Sequence, residues 1–118
     1  MSAMKETFPK LLVQFEDFST DNAFKYLDIF RRNSRVFNDD IQGTGAVVLS
    51  GFINAARLAS AASGLPLTDH RILFFGAGSA GIGVAKQLLS FFTINGLSQE
   101  EAKKHIYVRL NYHYRTTG

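Results

Sequence analysis

Arg71-Ile72-Leu73-Phe74-Phe75-Gly76-Ala77-Gly78-Ser79-Ala80-Gly81 sets a short hydrophobic strand directly against a G-x-G-x-x-G turn. The residues after it, Val84, Ala85, Leu88, Leu89 and Phe92, keep helical spacing up to a stop at Asn95-Gly96. Ser98 to Glu101 has the S-x-x-E form of a capping box and opens a further short helix, after which Ile106-Tyr107-Val108 reads as the next strand. Strand, glycine turn, helix, strand is the βαβ pattern of a parallel sheet, so the expected class is α/β with a Rossmann-like first βαβ. A glycine turn alone is a weak sign of nucleotide binding. Here it has the context the chemistry needs. Gly76 permits the tight turn, Gly78 lets backbone approach a pyrophosphate, and Gly81 lets helix and strand pack closely. Backbone amides near Ser79 and Ala80 then face the phosphates. Gly76, Ala77, Gly78, Ser79, Ala80 and Gly81 are the expected cofactor-binding residues, and a glycine turn serving structure alone is the alternative.

Upstream, Leu11-Leu12-Val13-Gln14-Phe15 reads as a buried strand, and Ser19-Thr20-Asp21 offers cap oxygens to a helix carrying Phe24, Leu27 and Phe30. Val36-Phe37 is too short to be much of a strand. From Gly43 to about Ser63 the pattern suits a long buried helix with Ala46, Val47, Leu49, Ile53, Ala56 and Leu58, closed by Gly64 and Pro66. Two acidic doublets, Glu16-Asp17 and Asp39-Asp40, end apolar runs. Carboxylates emerging together at strand ends can converge on one hard cation, Mg²⁺ or Mn²⁺; solvated loop acids and a helix cap are the other reading.

The composition of the 118 residues is globular: 46% hydrophobic, 19% charged, with mean hydropathy near zero. No cysteine is present, which excludes disulfide and thiolate chemistry. The formal charge of +3 is a tail effect. All ten acids and nine of thirteen bases lie within the first 101 residues, and Lys103, Lys104, Arg109 and Arg115 supply the excess. With no basic helix face, no nucleic-acid partner is expected. No membrane partner is expected either, because the longest apolar run, Thr44 to Ala62, is interrupted by Asn54 and Arg57. The N-terminus lacks an apolar core, carries Glu6 and has no arginine, unlike a secretory or transit peptide. An intracellular protein is expected.

One element of a dinucleotide fold is missing: no acid follows the strand at Val108, where one usually holds the adenine ribose. Arg109 offers a contact for a 2′-phosphate, but the reading preferred is an unstructured basic tail.

Gln14-Phe15-Glu16-Asp17-Phe18, then Phe37-Asn38-Asp39-Asp40-Ile41-Gln42-Gly43-Thr44, then Ile72-Leu73-Phe74-Phe75-Gly76-Ala77-Gly78 together resemble the malic enzyme family, the divalent-metal and NAD(P)-dependent oxidative decarboxylases of malate. The resemblance runs from about Leu11 to Val108, and Gly45–Val48 with Gly81–Lys86 is most similar to fungal members. It implies metal ligands at Glu16, Asp17 and Asp40, with Asp39 behind them near the catalytic lysine. It also implies Thr44 in the nucleotide cleft, NAD or NADP as cofactor with Mg²⁺ or Mn²⁺, malate and pyruvate as substrate and product, and a homo-oligomer of the cytoplasm or mitochondrial matrix. The domains implied are 1–66, the C-terminal part of the catalytic and metal-binding domain; 67–108, the start of the NAD(P)-binding domain; and 109–118, a divergent tail. The family's catalytic lysine and tyrosine fall upstream of the F-E-D-F string and match nothing here. Lys25, Lys86, Tyr26, Tyr107, His70, His105 and His113 take no catalytic role. The chain therefore reads as a truncated product or fragmentary gene model, inactive alone. The rival reading is a non-catalytic nucleotide- or metal-binding fragment that associates with a full-length subunit.

Overall fold

The computed structural model describes residues 1–109. A short helix α1 (Ser2–Thr7), which no sequence signal announced, precedes β1 (Val13–Phe15), α2 (Thr20–Phe30) and β2 (Val36–Asn38). A π-helical turn, Asp39–Gly43, then runs into α3 (Thr44–Ser63). Next come a 3₁₀ turn (Leu67–Asp69), β3 (Ile72–Phe75), α4 (Ser79–Ile94), α5 (Gln99–Lys103) and β4 (Ile106–Arg109).

The α/β class holds, as two βαβ units. β1 pairs in parallel with β2, Val13 opposite Val36 and Phe15 opposite Asn38. β3 pairs in parallel with β4, Ile72 opposite Ile106 and Phe75 opposite Arg109. Two expectations change at the first pair. Val36-Phe37 does form a strand with Asn38, because β1 supplies the ladder that so short a run cannot sustain alone. Leu11 and Leu12 stay outside β1 and are exposed, since the ladder begins only where Val13 N–H donates to Arg35 O (2.8 Å). Arg109 also departs from the expected tail. Gly76 N–H donates to Arg109 O at 2.9 Å, which carries the ladder one residue past Val108. The rest of the expected tail, His113 and Arg115 included, lies outside the described residues.

The helix ends follow their local chemistry. Gly64 stops α3 in the left-handed region (φ 74), and its N–H reaches Ser60 O at 2.8 Å. Ser98 and Glu101 form the expected capping box on α5. Phe15, Phe18, Phe30 and Tyr26 meet edge to face in the first unit. In the second, Phe92 and Leu88 of α4 are buried, with Phe52, Phe91 and His105 stacked around Phe92.

α3 is not the buried helix its sequence suggests. Gly45 and Ala56 alone are buried, while Val47 is 71% and Leu58 75% exposed. With its preceding turn it is an unbroken helical run of 25 residues, long and apolar enough by length and composition to cross a membrane. Asn54 does not interrupt it, because the side chain is absorbed by Ser50 O at 2.9 Å. The outer face of the second sheet is likewise bare, with Leu73 68% and Phe75 71% exposed, while Ile72 and Phe74, which alternate with them, are half-buried. The described chain is flat, 55 × 49 × 24 Å, with a radius of gyration of 17.6 Å. A compact chain of this length would have about 13 Å.

The tightest approach between elements is at Gly83. A Cβ there would stand 2.9 Å from Ile41 Cα and 3.0 Å from Ile41 C, closer than real side chains pack. Gly51, midway along α3, has open space around it. Gly83→Ala is expected to lower stability by about 1–3 kcal/mol through backbone displacement. Gly51→Ala is expected to raise it by about 0.5–1 kcal/mol through helix propensity. Thermal unfolding of both variants checks this, and equal effects would contradict the packing assigned to Gly83. The capping box gives a pH expectation as well. Hydrogen bonds from the Ser98 hydroxyl and backbone N–H hold the Glu101 carboxyl below its ordinary 4.5. A depressed carboxyl stabilises above its unfolded pKa and loses that contribution as pH falls through the folded value. Acidification below about pH 4.5 should therefore release the Ser98 amide, read by hydrogen exchange, and Glu101→Gln should abolish that pH dependence.

Candidate functional site

The site forms where the ends of β1, β2 and β3 give way to turns. At β3 the chain enters the glycine loop with Gly76 at φ 130, a conformation side chains rarely adopt. Gly78 is the N-cap of α4 in extended backbone, and nothing lies within 4 Å of where its Cβ would be. A Cβ at Gly81 would sit 3.1 Å from Gly76 O, so the third glycine does bring the helix against the loop. No side chain caps the first turn of α4. A helix start with unclaimed N–H groups and a positive dipole end suits an anion. Ala77, Ser79 and Ala80 complete this loop at intermediate burial.

The acidic doublets approach the loop through α4. Asp39 and Asp40 lie in the π-helical turn, a form that recurs at functional positions. Ile41 of that turn is buried against Gly83, and Gln87 of α4 donates its amide to Gln42 O at 2.9 Å. Gly45 at the start of α3 fits against the same Gln87 side chain, 2.6 Å from Nε2 to an imagined Cβ. Thr44 sits at the junction, half-buried, as the first residue of α3. The Asp39 carboxylate lies over Gly43, where a Cβ would stand 2.8 Å from its Cγ.

The first doublet reaches the second through one bond. Asp17 N–H donates to Asp40 Oδ2 at 3.2 Å, across 23 residues of sequence. Asp17 holds a positive φ of 54, which costs a non-glycine residue about 1 kcal/mol or more and is typical of sites where surrounding contacts over-determine the backbone. Glu16 is placed differently: its carboxylate accepts from the Gln14 amide. Among the described residues no group of three or more His, Asp or Glu side chains is gathered closely enough to hold a metal ion. The three expected ligands are all carboxylates, the type a hard cation takes, and the contact the structure shows between them is that of the Asp17 backbone N–H with the Asp40 carboxylate.

The residues set aside in sequence have packing roles. Lys86 Nζ lies 4.6 Å above the Phe24 ring and Lys25 Nζ 5.9 Å above that of Tyr26. His70 Nε2 and Ser60 Oγ are hydrogen-bonded at 3.0 Å, tying the end of α3 to the approach to β3. His105 stacks on Phe92, and Tyr107 is exposed on β4. Sequence reasoning missed Gly83, Gln87 and Asn38, which join the two halves of the site. The one available signal was the G-x-G of Gly81 and Gly83, a further small residue two positions beyond the nucleotide fingerprint.

Residues 41–111 match the family model described as "Malic enzyme, NAD binding domain". Over 104 residues, 88% of this chain, it is 52% identical to the NADP-dependent malic enzyme of Dictyostelium discoideum. It is 42% identical over 92% of its length to the NAD-dependent malic enzyme of Schizosaccharomyces pombe. To the malolactic enzyme of Lactiplantibacillus plantarum it is 45% identical over 91%. In each case the chain spans only 18–19% of the relative's own length.

The strained Asp17 supplies a check on the site geometry. Asp17→Val should destabilise by about 1–3 kcal/mol, because a β-branched residue tolerates positive φ poorly, whereas Asp17→Asn should be close to neutral. Equal unfolding midpoints for the two variants would show that the turn does not hold the left-handed conformation.

Proposed function

The chain belongs to the malic enzyme family, and on that premise we propose that it supplies two parts of a malate-oxidising site: the pyrophosphate cradle and the carboxylates for a divalent cation. In this reading the complete enzyme oxidises (S)-malate with NAD⁺ or NADP⁺ and decarboxylates the product to pyruvate and CO₂. The observation that carries it is the uncapped start of α4 behind Gly76 to Gly81, locked through Gly83 to the turn bearing Asp39 and Asp40. The loop would take the cofactor pyrophosphate on its backbone amides, with Gly78 leaving room for close approach and Thr44 beside the cleft. Glu16, Asp17 and Asp40 would hold Mg²⁺ or Mn²⁺, with Asp39 behind them. A divalent cation held by Glu16, Asp17 and Asp40 would supply Lewis-acid polarisation of the C2 oxygen of malate, and a nicotinamide cofactor held on the Gly76 to Gly81 loop would supply the hydride acceptor. No residue of the chain is assigned as the acid or base that moves protons at C2 and C3, so the segment alone is not expected to turn over. Residues 1–66 are proposed as catalytic and metal-binding, 67–109 as nucleotide-binding, Arg109 closing β4, and 110–118 as a divergent tail. An intracellular setting, cytoplasmic or mitochondrial, and homo-oligomeric assembly belong to the same proposal.

A second reading is favoured by the bare face of Leu73 and Phe75: a non-catalytic fragment that binds nucleotide or metal and associates with a full-length subunit.

Equilibrium titration with NAD⁺ and NADP⁺ tests the cradle. Gly76→Val is expected to weaken nucleotide binding about tenfold or more, since φ 130 excludes a β-branched residue. A titration with Mn²⁺ tests the carboxylates, and Asp40→Ala should weaken it; unchanged affinity would remove Asp40 from the ligand set. A malate-dependent rise in NAD(P)H absorbance from the purified 118-residue chain would overturn the expectation that it does not turn over.

A further inference from the structure

The turn that carries Asp39 and Asp40 is held by a residue with no assigned role. Asn38 ends β2 and is the one polar or charged side chain that is buried among the described residues. Its Oδ1 accepts from Ile41 N–H at 3.0 Å, and its own backbone N–H donates to Gln42 Oε1 at 3.1 Å. Asn38 thus spans the start of the turn while the Gln42 side chain reaches back from its far side. Both acids lie inside that clasp, and Gln42 O is in turn fixed to Gln87 of α4. The clasp sets where Asp40 projects, and Asp40 Oδ2 is the atom that meets Asp17 N–H.

Capping alone does not require asparagine. A serine or threonine would offer Ile41 N–H the same kind of oxygen and leave no donor over. The Nδ2 of Asn38 is buried with no hydrogen-bond partner. Buried amides without partners are rare in folded proteins because the lost hydration is not replaced. An aspartate would bury a charge at a fully enclosed position. An amide therefore combines the cap with a neutral donor buried beside the acidic turn.

We infer that Asn38 is a positioning residue: by clasping the Asp39–Gly43 turn with Gln42, it holds Asp40 against Asp17 and so sets the affinity of these carboxylates for a divalent cation. It acts through the turn and makes no contact with the cation itself. The inference rests on the cation reading proposed above and extends it to a buried residue outside the ligand set.

The test is titration of the intact 118-residue chain with Mn²⁺, free ion being read by electron paramagnetic resonance, with far-UV circular dichroism on each variant. Asn38→Leu keeps the branched shape and heavy-atom count but removes the cap, and is expected to weaken Mn²⁺ binding about tenfold or more with the helical signal retained. Asn38→Ser restores a capping oxygen and should recover part of that loss. Gln42 is exposed, so Gln42→Leu opens the other half of the clasp without disturbing the core and should weaken binding as well. Asn54→Ala, on the exposed side of α3, should leave the affinity unchanged. If Asn38→Leu loses its helical signal, Gln42→Leu decides: weaker binding supports the inference and wild-type affinity overturns it. A wild-type chain that binds Mn²⁺, with folded Asn38→Leu binding equally well, overturns this inference and leaves the cation reading standing. A wild-type chain that fails to bind Mn²⁺ overturns both.

Discussion

The approach of Gly83 to Ile41 is the constraint on which the arrangement depends. Helix α4 belongs to the second βαβ unit and the π-helical turn follows the first. They touch backbone to backbone because neither a Cβ at 83 nor a wider turn at 41 intervenes. Gln87 adds a hydrogen bond to Gln42 O one turn further along α4, and Gly45 gives the Gln87 side chain room to lie there. The helix whose first turn is suited to phosphate and the turn that presents two carboxylates are therefore one packed unit. Neither sheet, at two strands each, would hold them in register by itself.

Much of this was legible in the sequence where the determinant is local. A strand ending in G-x-G-x-x-G names both the loop and the helix behind it, and the positive φ of Gly76 and the close packing of Gly81 follow from glycine chemistry. The capping box at Ser98 and the left-handed stop at Gly64 are equally local. The strings around the acidic doublets named a family, and the family model and relatives agree with it. Pairings decided at a distance were less legible. Val36-Phe37 becomes strand because of β1, and Leu11-Leu12 does not because the ladder starts later. Gln14 engages Glu16, a two-residue relation that no motif reports.

Burial was the least legible property, and α3 shows why. Its sequence is rich enough in Ala, Val, Leu and Ile to fit a core, and hydrophobicity reports what a residue tolerates, not what covers it. In the described residues its N-terminal turn, one middle face and Ser60 near its end meet neighbours, while Val47 and Leu58 stand in solvent. The outer side of the β3–β4 sheet follows the same logic. Leu73 and Phe75 alternate with Ile72 and Phe74 in an apolar run that suits a strand coated on both sides, while burial reaches only the Ile72 and Phe74 side.

These bare faces shape the thermodynamics of the chain. The heat-capacity increment of unfolding measures the apolar surface newly hydrated when structure is lost. Residues such as Leu58, Leu73 and Phe75 are hydrated already in the native fold, so they contribute little to that increment or to the denaturant dependence of stability. A chain folded this way has a shallow, broad stability curve for its length, with cold denaturation displaced to lower temperature. Any surface that coats the outer side of β3 and β4 would steepen the curve by withdrawing those same side chains from water.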